Sequence, residues 1–279
     1  MIDASTVFRS IAPQTPRYDW ARVKLDSAFL SPLEKSVENN SRFNPRVGIT
    51  YRPWNWLSLY GNYLESFGAN NGLSSTLQAF DPQTAKQYEA GLKTEFFDGR
   101  LNSTLAFYHL TKNNVLTPDP NNPNFSLAIG EARSQGIELD VSGQLTDALS
   151  LITTYAYTDA RITKDTDNQG KRLPYVPEHS GSAWLKYAFQ QAPLQGFSIG
   201  AGVYAASERQ GDAANSYHDG AYARLDLFGA YRYKIGPTYL TTQININNVT
   251  DTEYFILRDK GRNLPAEPLT VLGSLRLEY

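Results

Sequence analysis

From about residue 43 onward, side-chain polarity in this chain alternates with a period of two. In QYEAGLKTEFF, Tyr88, Ala90, Leu92 and Phe96 share one face, and Gln87, Glu89, Lys93 and Glu95 share the other. In GIELDVSG, Ile137, Leu139 and Val141 oppose Glu138, Asp140 and Ser142. In YARLDLFGAYRY, Leu225, Leu227, Tyr231 and Tyr233 oppose Arg224, Asp226 and Arg232, and in TQININN Ile244 and Ile246 oppose Gln243, Asn245 and Asn247. Successive side chains of an extended strand point to opposite faces, so this pattern is that of β-strands, and helical spacing fits none of these segments. About eleven strands follow, near 43–52, 56–67, 85–97, 101–117, 127–145, 149–163, 178–189, 197–210, 222–233, 239–255 and 268–279. Many exceed the ~5–6 residues usual in globular sheets, and all can supply the ~9–11 that a tilted membrane strand needs.

The connections sort by length. Short ones fall at Pro53-Trp54-Asn55, Asp98-Gly99-Arg100, Thr146-Asp147-Ala148, Gln190–Gly196 and Lys234–Pro237. Long ones, rich in Asn, Asp, Gly and Pro, fall near 68–84, 118–126, 164–177, 211–221 and 256–267. Short turns at one end and long polar loops at the other describe an up-and-down barrel in an outer membrane, whereas a soluble sandwich has no reason to sort its loops by end. Mean hydropathy is -0.44 and no stretch approaches the ~20 apolar residues of a membrane helix, but alternating strands average out as polar, so hydropathy is blind to this class. The N-terminus shows no basic region followed by an apolar one, so no export signal is visible. A net charge of -2 gives no basic excess for nucleic acid, and the absence of cysteine removes disulfides, thiolate metal sites and thiol nucleophiles.

Aromatic placement agrees with the barrel reading. Trp54, Trp56, Phe96, Phe97, Tyr187, Phe189, Tyr231, Tyr233 and Tyr279 lie beside the short-turn ends, as a girdle at the membrane–water boundary would. The polar parity is then the lumen. Its Glu89, Lys93, Glu138, Asp140, Arg224 and Asp226 would each cost about 2–4 kcal/mol if turned toward mid-bilayer lipid, so register is strongly specified.

At this level of detail the chain resembles a known family. VGITYRPWNWLSLYGNYLESF, QYEAGLKTEFFDGRLNSTLAFYHLTKNNV, GEARSQGIELDVSGQL, LPYVPEHSGSAWLKYAF, ERQGDAANS, ARLDLFGAYRY and NNVTDTEYF resemble, in order, the TonB-dependent siderophore receptors, those of the ferrichrome and hydroxamate type in particular. The resemblance implies an all-β fold: a transmembrane antiparallel up-and-down β-barrel segment, about half of a roughly 22-stranded barrel. It also implies that VLGSLRLEY, ending on Tyr279, is the closing strand read by the barrel-assembly machinery. Family members carry an N-terminal plug and a TonB-binding segment that this reading does not find here. Residues 1–42 are therefore expected to be a remnant of a preceding strand plus an extracellular loop, with 43–279 the C-terminal part of the barrel. An internal start at Met1, a truncated gene, or a partner chain completing the barrel would each account for this.

The function that the resemblance implies is outer-membrane uptake of a ferric siderophore, energised through TonB in the intact protein. The alternatives are a passive porin-like channel and a surface binding scaffold. No cofactor and no nucleic-acid partner are expected, and the lipid bilayer and a ferric siderophore are the expected surroundings and ligand. Extrapolating the lumen parity to the loop ends puts Gln87, Tyr108, Tyr204, Glu208 and Tyr222 near the extracellular mouth; of these, Gln87, Tyr108, Tyr204 and Tyr222, with Phe125, Tyr175 and Tyr217 in the loops above, are candidate substrate contacts. Glu208 and Arg224 read as an ion pair of the barrel wall. Gly196-Phe197-Ser198-Ile199-Gly200 spells a hydrolase nucleophile elbow, but it opens an alternating strand instead of a strand-to-helix turn, so Ser198 reads as a lumen residue. Asp165-Thr166-Asp167-Asn168-Gln169-Gly170 begins like a calcium loop but has Val176 where a bidentate Glu is required. His109, His179 and His218 lack metal-ligand spacing, and the chain is not expected to be an enzyme.

Overall fold

In the computed structural model, residues 17–26, 35–70, 74–75, 80–119, 121–122, 125–259 and 262–279 are described. A first hairpin pairs β1 (Arg17–Asp26) with β2 (Lys35–Asn44). Then come β3 (Arg46–Trp54), β4 (Leu57–Gly68), β5 (Gln83–Phe96), β6 (Leu101–Pro118), β7 (Ser126–Gln144), β8 (Leu149–Lys164), β9 (His179–Ala188) and β10 (Phe197–Ala206). The remainder is β11 (Arg209–Gln210), β12 (His218–Asp219), β13 (Tyr222–Ile235), β14 (Thr238–Asn247), β15 (Phe255–Asp259), β16 (Arg262–Pro265) and β17 (Thr270–Glu278). Eleven of these strands form one antiparallel sheet in the order β17-β14-β13-β10-β9-β8-β7-β6-β5-β4-β3, with β11–β12 and β15–β16 as separate small hairpins in loops. The strand count and the meander agree with the periodicity.

Register converts alternation into two faces. Glu89 faces Tyr108, which faces Gly136, which faces Thr158, and these belong to the polar parity. On the other parity, Leu92, Leu105, Leu139 and Tyr155 stand in one cross-strand row, and Leu151, Leu185, Ala201, Leu227, Ile246 and Val271 in another. Exposed apolar side chains are concentrated on that parity, among them Val47, Ile49, Leu59, Phe107, Leu185, Val203, Ile244, Leu275 and Leu277. Buried apolar residues among those described are few and mainly alanine (Ala106, Ala160, Ala206, Ala230), because a single curved sheet has no second layer to pack against. In this architecture lipid covers one face and the lumen lies on the other.

The short ends behave as their residues dictate. At Asp98-Gly99 both residues adopt positive φ (56° and 83°) and Arg100 N–H closes on Phe97 C=O at 3.1 Å, the backbone that a two-residue hairpin needs and that Asp-Gly favours. Rings collect there: Trp54 stacks on Trp56 (5.5 Å), Trp56 on Phe96 (5.6 Å), and Phe189 contacts both Tyr187 (5.0 Å) and Phe197 (5.7 Å).

Two expected strands are shorter than the alternation suggested. The 197–210 strand stops at Ala206: Ser207 N–H still bonds His179 C=O (2.8 Å), but His179 N–H takes the Ser207 hydroxyl (3.0 Å) in place of a backbone carbonyl. The 239–255 strand stops at Asn247, because Asn248 enters the left-handed region (φ 53°) and Val249 N–H bonds Leu225 C=O at 2.8 Å. Of the segment 1–42, residues 1–16 and 27–34 lie outside the described residues. In the remainder, β2 runs to Asn44 and meets β3 at Pro45, whose missing N–H interrupts the pairing. Asp19 anchors this hairpin. Hydrogen bonding from Arg17 first, and from Asn44 (2.7 Å), lowers its carboxyl below the usual range against the opposing effect of desolvation.

Candidate functional site

Three groups of side chains sit where the lumen face meets the long loops. The most developed is on β10, β13 and the segment after β14. Tyr204 and Arg224 are cross-strand partners, as are Ala206 and Tyr222. The Tyr204 and Tyr222 rings lie 5.8 Å apart, and Tyr222 stacks on Tyr254 at 4.0 Å with planes 13° apart. Arg224 donates to the Tyr254 hydroxyl through Nη1 (3.3 Å) and to Asp226 Oδ2 through Nε (3.1 Å) and Nη2 (2.8 Å). The result is a ladder of three phenols with a guanidinium clamped at its base.

The ladder depends on a buried support. Asp226, 3% exposed, also accepts Asn248 N–H on Oδ1 at 2.8 Å. The Asn248 side chain, in turn, donates to Thr252 C=O (3.0 Å) and Glu267 C=O (3.1 Å) and accepts Thr252 N–H (2.9 Å). Asp251 Oδ1 receives Leu269 N–H at 2.9 Å. The NNVTDTEY stretch is thus folded back against the wall, which brings Tyr254 over Tyr222. Tyr254 falls inside the 239–255 strand that alternation predicts, so periodicity alone does not bring it to the mouth. The Asn-Val-Thr-Asp turn chemistry was the available signal.

The expected Glu208–Arg224 pair does not form. With β10 ended at Ala206, Glu208 leaves the wall and its carboxylate faces His218 at 4.0 Å, while Arg224 is committed to Asp226 and Tyr254. Above the ladder, Tyr175 N–H bonds Gln210 C=O (2.8 Å) and the Tyr217 hydroxyl bonds Gly211 C=O (2.9 Å), so both candidate loop tyrosines converge on the β11–β12 hairpin. Asn215 ties the two loops together, accepting Arg172 N–H and donating to Arg172 C=O, both at 2.9 Å.

Gln87 and Tyr108 form the second group, on β5–β7. Gln87 Nε2 donates to Glu89 Oε2 (3.0 Å), Tyr60 donates to Glu89 Oε1 (2.8 Å), and Tyr108, opposite Glu89, shares its hydroxyl with Ser134 (3.1 Å) and Thr158 (3.4 Å). Gly136 makes room for Tyr108: a Cβ there would stand 2.0 Å from Tyr157 C=O and 3.1 Å from the Tyr108 ring. Phe125 is the third and stands apart, closing the β6–β7 loop through Asp119 N–H to Phe125 C=O at 3.1 Å. The structure therefore brings Tyr204, Tyr222, Tyr175 and Tyr217 to one side of the mouth, and Gln87 with Tyr108 to another.

The remaining motifs have structural assignments. Ser198 is a nearly buried lumen-parity strand residue between Ala188 and Ala230. Asp165 Oδ1 caps its own turn, accepting Asp167 N–H (2.9 Å) and Asn168 N–H (2.8 Å). His109 bonds Gln135 (3.1 Å), and His179 bonds the Tyr155 hydroxyl (2.9 Å).

Comparison with known proteins places this architecture. Residues 17–249 match the family described as TonB dependent receptor-like, beta-barrel. The chain is 42% identical over 250 residues to the metal-pseudopaline receptor of Pseudomonas aeruginosa, covering 88% of this chain and 34% of that protein. It is 33% identical over 239 residues to the ferrichrome outer membrane transporter/phage receptor of Escherichia coli, covering 85% of this chain and 32% of that one. The chain thus spans about a third of the length of these curated relatives. Among solved structures, the siderophore receptor PiuA from Acinetobacter baumannii superposes with a TM-score of 0.79 at 24% identity over 94% of this chain and 40% of that chain, a likeness of fold. These are transport receptors of Gram-negative outer membranes, and the chain belongs to the TonB-dependent receptor β-barrel family.

Proposed function

We propose that this chain forms the C-terminal part of the barrel wall, with its extracellular loops, of an outer-membrane receptor that takes up a ferric siderophore or a related metal chelate. One observation carries the reading: the Tyr204–Tyr222–Tyr254 ladder with Arg224 on the lumen face, at the level where loops replace strands. Stacked phenols give apolar area with polar edges, and a guanidinium adds charge, so the group suits a bulky, polar, anionic or aromatic chelate. The metal arrives already held by its chelator, so the side chains contact the chelator and no resident metal or cofactor is needed. Identities of 42% to a metal-pseudopaline receptor and 33% to a ferrichrome transporter support the broad class of metal chelates more than hydroxamates alone.

The open edges β3 and β17 argue for further strands completing the wall, because unpaired N–H and C=O groups cost several kcal/mol each in lipid. Transport then draws its energy through TonB, contacted by parts of the receptor other than this wall.

The test is uptake. The intact receptor is expressed in a Gram-negative strain lacking its own siderophore receptors, and growth under iron limitation is scored on a panel of ferric hydroxamate, catecholate and carboxylate chelates, with and without TonB. TonB-dependent growth on one class, requiring about tenfold more chelate in Tyr222→Ala, is the expected result. A receptor that reaches the outer membrane yet supports none of the panel would refute the reading.

A further inference from the structure

Charge on the lumen face is segregated by strand. Besides the Arg224–Asp226 pair, the lumen parity of the wall strands β9, β10, β13, β14 and β17 carries four cations, Lys186, Arg232, Lys234 and Arg276, against one carboxylate, Glu278. On β5–β7 the same parity carries Glu89, Glu95, Glu138 and Asp140 against Lys93 and Lys112. A lumen walled by low-dielectric material focuses such fields, so a charged cargo meets the two sectors differently.

The basic sector forms a pocket at its periplasmic end. Arg232 lies over the Tyr239 ring, 4.1 Å from its centroid, and Lys234 reaches the same ring at 5.6 Å. Glu278 receives both Arg232 (2.9 Å) and Arg276 (3.0 Å), so one carboxylate is divided between two guanidiniums. Among the described residues, neither Lys186 nor Lys234 has a carboxylate within ion-pair distance. Lys186, Ser198, Arg232, Lys234 and Tyr239 line the lumen side of a concavity of about 570 Å³, the size of a small-molecule site. Strand β13 joins this pocket to the mouth. Arg224, at the base of the phenol ladder, and Arg232 share its lumen parity, about 27 Å apart along the extended chain.

We infer that the Lys186–Arg232–Lys234 pocket is a second site for the cargo, occupied on the periplasmic side after the cargo leaves the ladder, and that this cargo is a metal chelate of net negative charge with free carboxylates. The inference rests on the uptake reading above and adds the charge class of the cargo. Cations set around a fixed aromatic ring hold carboxylates by charge-assisted hydrogen bonds. Their exposure, 52% for Arg232 and 75% for Arg276, keeps the site weak enough to release what it holds. The acidic sector of β5–β7 repels the same anion, which directs its path along β13 and its neighbours.

The experiment takes the intact receptor in detergent, where both ends of the lumen meet solution, and dialyses it to equilibrium against radiolabelled ferric citrate, an anionic carboxylate chelate, or ferrichrome, a neutral hydroxamate one. Tyr222→Ala is the background, so that the ladder contributes little. Ferric citrate should still bind saturably there, and about tenfold more weakly once Lys186→Gln/Lys234→Gln removes two partly screened charges. Lys186→Arg/Lys234→Arg should recover most of the loss, Lys93→Gln in the acidic sector should stay within about twofold, and ferrichrome should show no such site. Equal retention of the two chelates would overturn the inference, even if the lysine variants fail to fold. So would the absence of a saturable citrate site in Tyr222→Ala. A folded double variant with unchanged citrate binding and a lowered melting temperature would also overturn it, because the lysines would then be holding an acidic segment of the receptor. Growth on the chelate panel separates the two readings: TonB-dependent growth without this site removes the inference alone, and the site without growth on any chelate removes the uptake reading.

Discussion

Replacing Asn248 by alanine should unlatch the segment that carries Tyr254. Asn248 is 1% exposed and makes three side-chain hydrogen bonds, to Thr252 C=O, Thr252 N–H and Glu267 C=O. Alanine removes all three and strands their partners, at about 1–3 kcal/mol for each buried group left unmade. The φ of 53° that Asn tolerates costs alanine about 1 kcal/mol more. Opened groups regain water, so the net loss is about 3 kcal/mol for the local closing equilibrium, slightly more than two decades in its constant. The assay is amide hydrogen exchange on the peptide spanning 249–254 in the intact receptor. Thr252 N–H should exchange about a hundredfold faster, with amides of β13 and β14 unchanged, since local openings do not require the wall to unfold. Asn248→Asp keeps the acceptor for Thr252 N–H but turns a buried carboxylate oxygen toward Thr252 C=O and Glu267 C=O, so its effect should be at least as large as that of alanine. Unchanged protection of Thr252 in Asn248→Ala would mean that the segment is held by something other than this residue, and the support assigned to the ladder would be wrong.

Tyr222→Ala removes the middle ring of the ladder and should weaken chelate binding about tenfold, whereas Tyr222→Phe stays within about threefold; quenching of intrinsic fluorescence on titration measures both. Gly136→Ala forces a Cβ to 2.0 Å from Tyr157 C=O and should cost the barrel about 1–3 kcal/mol, read as a lower temperature for losing its compact form in gel electrophoresis, while Gly48→Ala, with nothing nearer than 3.8 Å, stays within about 0.5 kcal/mol. Leu139→Arg, on the lipid parity, should cost about 2–4 kcal/mol in the same measurement and Asp140→Arg, on the lumen parity, far less; equal costs would contradict the assignment of faces. Asn215→Ala breaks both bonds to Arg172 and should make the 165–178 loop the first site of limited proteolysis on the extracellular side.

Much of the fold was legible because strand alternation is a local property. Leu139 and Asp140 differ by one residue, and a wrong register would put the carboxylate in lipid, so polarity alone determined which face each side chain takes. The short turns were legible for the same reason: Asp98-Gly99 states its own backbone geometry. Tyr108, Tyr204 and Tyr222 were assigned to the lumen face by parity counting along single strands, which needs no knowledge of neighbours.

What the sequence left undecided depends on groups distant along the chain. Where β10 and β14 stop is decided by His179 N–H finding the Ser207 hydroxyl and Val249 N–H finding Leu225 C=O, hydrogen bonds that exist only once neighbouring strands are aligned. Those two breaks withdrew Glu208 from the wall and brought Tyr254 onto Tyr222. Likewise, Lys186, Arg232 and Tyr239 are scattered across three strands, and only the inter-strand register makes them one pocket. Alternation along a strand is written residue by residue, but assembly across strands depends on stagger, and stagger is set by all the strands together.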